Sequence, residues 1–113
     1  MIRRLTDRID VEIPARIRKA NESSDCVIKD VSEGHMGLET SPDNTIALSP
    51  GVRLYIEFNT RTGEDIVLPC LVIRSKNISP QSKITVFSVK IEEQISEFED
   101  FYRELFADNE RVL

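Results

Sequence analysis

One histidine and two cysteines, with no C-x-x-C pair, leave this 113-residue chain without the ligand set of a structural zinc site. Cys26 and Cys70 stand alone inside strand-like runs, the pattern of small buried hydrophobes in a reducing compartment, so the expected location is the cytoplasm. Uninterrupted apolar runs are short, which provides nothing to insert into a bilayer. The basic start, Met1-Ile2-Arg3-Arg4, has no apolar stretch behind it and does not read as a secretory leader. There is no second histidine for a catalytic dyad, no Walker loop, no H-E-x-x-H and no nucleophile elbow. The expectation is a binding protein, not an enzyme, that uses no metal or other cofactor. An excess of positive charge is also missing: the net charge is −5, which argues against DNA or RNA as partner.

What the chain does have is the composition of one globular domain, 40% hydrophobic and 31% charged, long enough to bury a core without staples. Its charge is unevenly spread. Residues 1–20 carry six basic groups against three acidic ones, a net of +3, whereas residues 92–113 carry a net of −6 and the middle −2. A compact anion would meet a basic N-terminus on a globally acidic protein.

Val11, Ile13, Ala15 and Ile17 alternate with polar residues, a strand with one buried face, and Pro14 on the polar side suggests an edge or a bulge. Asn21 to Asp25 is a cluster of turn formers. Cys26–Val31 and Met36–Thr40 read as strands two and three, with a glycine-bearing turn between them. After a loop over 41–51, Val52–Phe58, Ile66–Arg74 and Ile84–Ile91 supply three more strands, and Arg61-Thr62-Gly63-Glu64 links the first two of these. The period then changes. Ile95, Phe98, Phe101, Tyr102, Leu105 and Phe106 form one stripe of an amphipathic helix over about residues 95–107, and Ser96-Glu97-Phe98-Glu99 has capping-box spacing. Most of the aromatics are spent on this helix. The fold class expected is mainly β: a small six-stranded antiparallel barrel with a C-terminal amphipathic helix.

Two short motifs carry chemistry. Arg3, Arg4 and Arg8 form an R-R-x-x-x-R run, and guanidiniums offer planar forks that match phosphate oxygens and the O6/N7 edge of guanine. Asp30 and Ser32 leave strand two and enter the Gly34–Gly37 turn. An ionised carboxylate accepts the N1–H and N2–H₂ donors of guanine, and a serine hydroxyl can serve a phosphate or a base edge. Each motif alone also has a plain structural reading: solvated arginines near a terminus, and an Asx/Ser turn with glycines at positive φ.

Their conjunction, on a barrel pattern with a C-terminal helix, resembles the PilZ family of bacterial cyclic di-GMP receptors over essentially the whole chain. The resemblance implies an arm over residues 1–9, loosely held without ligand, whose Arg3, Arg4 and Arg8 close over cyclic di-GMP. Asp30, Ser32, Gly34 and His35 would contribute from the barrel of residues 10–113. It further implies a domain, monomeric or dimeric, that relays the second-messenger signal to a protein partner in motility, biofilm or exopolysaccharide control. One residue departs from the family's D/N-x-S-x-x-G pattern: His35 occupies its glycine slot. That departure motivates the alternative of a PilZ-like adaptor that has lost its ligand and works by protein–protein contact. A barrel of the OB type for single-stranded nucleic acid fits poorly, because the chain is acidic and its aromatics lie mostly in the helix.

Overall fold

A computed structural model describes residues 8–111. The elements are β1 (Ile9–Lys19), β2 (Glu22–Val31), β3 (His35–Thr40), β4 (Arg53–Asn59), β5 (Asp65–Asn77), β6 (Thr85–Ile91) and α1 (Ser96–Arg111). The strands close into an antiparallel barrel in the order β1-β2-β3-β6-β5-β4. The class expected from the sequence is the one found.

Period-2 alternation fills the barrel. Ile17, Ile28, Leu38, Ile56, Ile66, Leu68 and Val89 are each fully buried, and their chain neighbours face outward. Phe98 and Phe101 of α1 add to this core, and the Phe101 ring lies 5.1 Å from that of Phe58. Arg61, in the β4–β5 connection, binds Asp108 of the helix at 2.7 Å. Pro14 sits where β1 has no β4 partner, since the two strands pair only from Arg16 to Arg18. The Pro69 carbonyl accepts from Glu92 N–H at 2.8 Å on the β6 side. Because β6 ends at Ile91, the donor that Pro69 lacks falls where the ladder has run out.

Two local expectations are corrected. The turn expected over Asn21–Asp25 is confined to Ala20-Asn21, and Glu22 to Asp25 already belong to β2, with Lys19 opposite Glu22. Polar residues continue the strand there because the hairpin projects beyond the core. The capping box is also not formed: the Ile95 carbonyl accepts from both Phe98 and Glu99, so Ile95 and not Ser96 holds the N-cap position, and the Ser96 hydroxyl donates to Glu97 instead.

Ala20 holds φ at 54°, in the left-handed region that costs a residue with a Cβ roughly 1–2 kcal/mol. Ala20→Gly should therefore raise stability by about 0.5–1 kcal/mol once the larger backbone entropy of glycine is subtracted, read as a shift in urea midpoint at constant slope. Burial pushes both thiols from an ordinary 9.0 up to about 12, with minor help from Asp25 at Cys26 and Glu92 at Cys70. A raised folded-state value means stability that is fully present below pH 9 and drains away as pH rises toward 12. The native chain should resist iodoacetamide at pH 8 and take two labels after unfolding in guanidinium, counted by mass spectrometry; labelling of the native chain at the unfolded rate would contradict the burial.

Candidate functional site

The chain's entry into β1 and its exit from β2 are brought together by the first hairpin, where Ile9 faces Val31 and Asp10 faces Asp30. Arg8 accordingly lies beside Asp30, with Nη1 3.8 Å from Oδ2; the arginine side chain is 72% exposed and the aspartate 22%. An ion pair this long and this exposed is worth about 0–1 kcal/mol, so the guanidinium keeps most of its donor capacity for another partner. Asp10 directly across from Asp30 makes an unfavourable like-charge pair, which further favours a donor-rich group at this position.

A bulge between Ile28 and Asp30 sets the carboxylate in place. Lys29, its extra residue, pairs with Glu12 and holds that carboxyl below its usual range through their hydrogen bond and charge. Asp30 then falls opposite Gly37 on β3. A Cβ at residue 37 would lie 2.5 Å from Asp30 Oδ2 and 2.9 Å from its Cγ, so the carboxylate occupies the volume that any other side chain would need. Among the described residues, positive φ at glycine occurs at Gly51 and Gly63, not at Gly34 or Gly37. The turn glycines thus do not supply left-handed backbone: Gly37 supplies clearance. His35 opens β3 without positive φ, so the histidine in the glycine slot carries no backbone strain.

Ser32 is 4% exposed; its N–H donates to the His35 carbonyl at 2.9 Å and its hydroxyl approaches the same oxygen at 3.4 Å. Its role in the structure is to hold the turn from beneath. The Gly34 carbonyl accepts from Ile91 N–H at 2.9 Å and the Glu33 carbonyl from Gln94 Nε2 at 3.0 Å, which fastens the turn to the end of β6. His35 is exposed and faces Lys90 across β3–β6. The structure therefore brings Arg8, Asp30, Gly34 and His35 to one end of the outer surface. Arg3 and Arg4, with most of the arm expected over residues 1–9, lie outside the described residues.

Sequence reasoning missed the floor of the site. Gly37 pairs with Ser88 of β6, so Asp30, Gly37 and Ser88 form a row across three strands, small and outward-facing at its centre. The missing signal is the pairing of β3 with a strand far along the chain. Among the described residues no group of three or more His, Cys, Asp or Glu could hold a metal ion, and no helix is long and apolar enough to cross a membrane.

Fold and site define a small barrel domain with a surface platform suited to a ligand bearing both anionic and donor groups. Residues 2–105 match the PilZ domain family, and the chain belongs to it. Its fold is similar to that of the Bacillus subtilis inhibitor of motility MotI/DgrA, with a TM-score of 0.77 and 15% identity over 98% of this chain. The alignment spans about half, 53%, of that protein's length. It is also similar to the PilZ domain of YcgR from Escherichia coli, solved with c-di-GMP (TM-score 0.73, 18% identity, 98% of this chain and 95% of that one). The PilZ domain of CeSA from a cellulose-synthesizing bacterium gives 0.65 at 23% identity, over 92% and 99%. No curated protein matches the chain by sequence.

Two glycine substitutions separate clearance from flexibility. Gly37→Ala should cost about 1–3 kcal/mol in urea denaturation, because the Asp30 carboxylate must move. Gly34→Ala meets nothing within 4 Å and should stay within about 0.5 kcal/mol of wild type. Equal effects would show that Asp30 does not need the gap.

Proposed function

We propose that this chain is a receptor domain for cyclic di-GMP. The observation that carries the reading is the convergence of Arg8 and Asp30 on the Gly37–Ser88 floor, in a domain of the PilZ family. Support comes from the similar PilZ domain of YcgR, which is solved with c-di-GMP.

The chemistry assigns each residue a task. Asp30, held open-faced over Gly37, accepts the N1–H and N2–H₂ donors of one guanine. Arg8, with Arg3 and Arg4 from the N-terminal arm, takes phosphate oxygens and the O6/N7 edge as charge-assisted forks. Closure of the arm over residues 1–9 onto the ligand is the conformational event, and its ordering takes up part of the binding energy. Ser32 and Gly34 shape the turn, and His35 offers a ring face or a donor at the rim. The reading calls for binding without catalysis, and for no metal or cofactor. Output then passes to a protein partner, and motility is the process that the name of MotI, an inhibitor of motility, gives for that protein. Motility, biofilm or exopolysaccharide control, in the cytoplasm, is the corresponding process.

Calorimetric titration with cyclic di-GMP tests the reading. The wild type should bind, and Arg8→Ala and Asp30→Ala should each weaken binding at least about tenfold, the value of one charge-assisted hydrogen bond. A wild type that gives neither heat nor amide shifts at high micromolar ligand would overturn it. Binding undiminished in both variants would move the site elsewhere.

A further inference from the structure

The row that begins at Asp30 does not end at Ser88. Ser88 pairs with Arg74 of β5, so Asp30, Gly37, Ser88 and Arg74 follow one another across β2, β3, β6 and β5. Three strand steps separate the two charged ends by about 14 Å. Lys90 stands two residues along β6 from Ser88, outward on the same face and opposite His35. Arg74 and Lys90 are both exposed.

The charge around them is unusual for this protein. From Ile66 to Ile91 the chain has no Asp or Glu but carries Arg74, Lys76, Lys83 and Lys90. Among the described residues none of these four lies within ion-pair distance of a carboxylate. Of the basic residues from Arg8 to Asp65, Lys19 alone shares that state. Beside Arg74 runs a cleft of about 380 Å³ whose lining includes Lys76, Asn77, Ile78, Val86 and Ser88. Ile78 and Val86 are 53% and 40% exposed, large apolar groups left facing water. Asn77 Oδ1 accepts from the Thr85 hydroxyl at 3.1 Å, which leaves its Nδ2 donors available.

We infer that the binding site extends along this row, with Arg74 and Lys90 holding the distal half of cyclic di-GMP; the inference rests on the receptor reading above. The ligand is two-fold symmetric, with two phosphates and two guanines. Arg8 and Asp30 engage one half. Across the low floor of Gly37 and Ser88, with Glu39 opposite Val86 at its side, the other half reaches two cations, neither of them within ion-pair distance of a carboxylate among the described residues. Arg74 is the bidentate partner for the second phosphate or the second O6/N7 edge, and Lys90 is a point charge beside it. The exposed Val86 and Ile78 give the second purine an apolar surface beside the Asn77 amide. A ring of two nucleotides with its bases extended to either side spans the distance.

The test is titration of the intact chain with cyclic di-GMP, comparing Arg74→Ala, Lys90→Ala and Lys19→Ala. All three remove one exposed or half-exposed unpaired cation, so general electrostatics is controlled. Affinity should fall about tenfold for Arg74→Ala and severalfold for Lys90→Ala, and stay within about twofold for Lys19→Ala. In the wild type the amides of Ser88 and Val86 and the Asn77 side-chain amide should shift on ligand addition. If Arg8→Ala weakens binding while Arg74→Ala and Lys90→Ala do not, the inference fails and the receptor reading stands; the basic face then serves another partner, such as an acidic protein. If the wild type itself does not bind, both fail.

Discussion

The pairing of β3 with β6 is the constraint on which both faces of this barrel depend. Inward, it packs Met36 and Leu38 against Phe87 and Val89, all at most 1% exposed. Outward, the same register sets Gly37 beside Ser88 and His35 beside Lys90. A slip of β3 by one residue would turn Met36 and Leu38 to water. At about 1.5–3 kcal/mol for each fully buried apolar side chain, that loss is a large share of the whole stability of a typical domain, about 5–15 kcal/mol. The core therefore enforces the geometry of the site, and the site residues contribute little to holding themselves in place.

That division lets the outer face carry arrangements that would be poor choices in a structural element. Asp30 faces Asp10, its cationic neighbour is a long, exposed contact from Arg8, and its carboxylate sits over a glycine that weakens the strand. Each is a small local cost and each leaves acceptor or donor capacity unspent. Local conflict on a rigid scaffold is the pattern expected where a ligand, not the protein, completes the bonding. His35 fits this account. Its strand backbone removes the steric objection to a histidine in the glycine slot, and with it the main ground for a domain that has lost its ligand.

The barrel was legible because strand periodicity needs only neighbours in sequence: Val11 to Ile17 and Val52 to Phe58 state their buried faces directly. Arg8 and Asp30 were legible as chemistry, and their meeting followed from a hairpin, a local pairing. What stayed hidden depended on long-range register or on averaging. Gly37 read as a turn former because its reason, the Asp30 carboxylate, lies on another strand. Ser88 had no mark at all. The basic stretch from Ile66 to Ile91 vanished inside a middle segment of net −2, where the acidic residues from Glu22 to Asp65 cancel it. The capping box at Ser96 failed because the Ile95 carbonyl takes the first helical bonds and the Ser96 hydroxyl goes to Glu97, choices that spacing does not reveal.

Charge placement also bears on the size of the ligand. Free cations gather on β5, β6 and their connection, while α1 presents exposed Glu97, Glu99 and Glu104 on a protein of net −5. A nucleic-acid polymer gains affinity by neutralising many phosphates along its length, and one leaving this platform would soon run onto acidic surface. A ligand with two phosphates does not. On the proposed reading it would meet Arg8 at one end of a short row and Arg74 at the other, and the surrounding negative charge would act against longer polyanions. The acidity that argues against DNA or RNA in the sequence would then serve, on this surface, as a selection for the small anion.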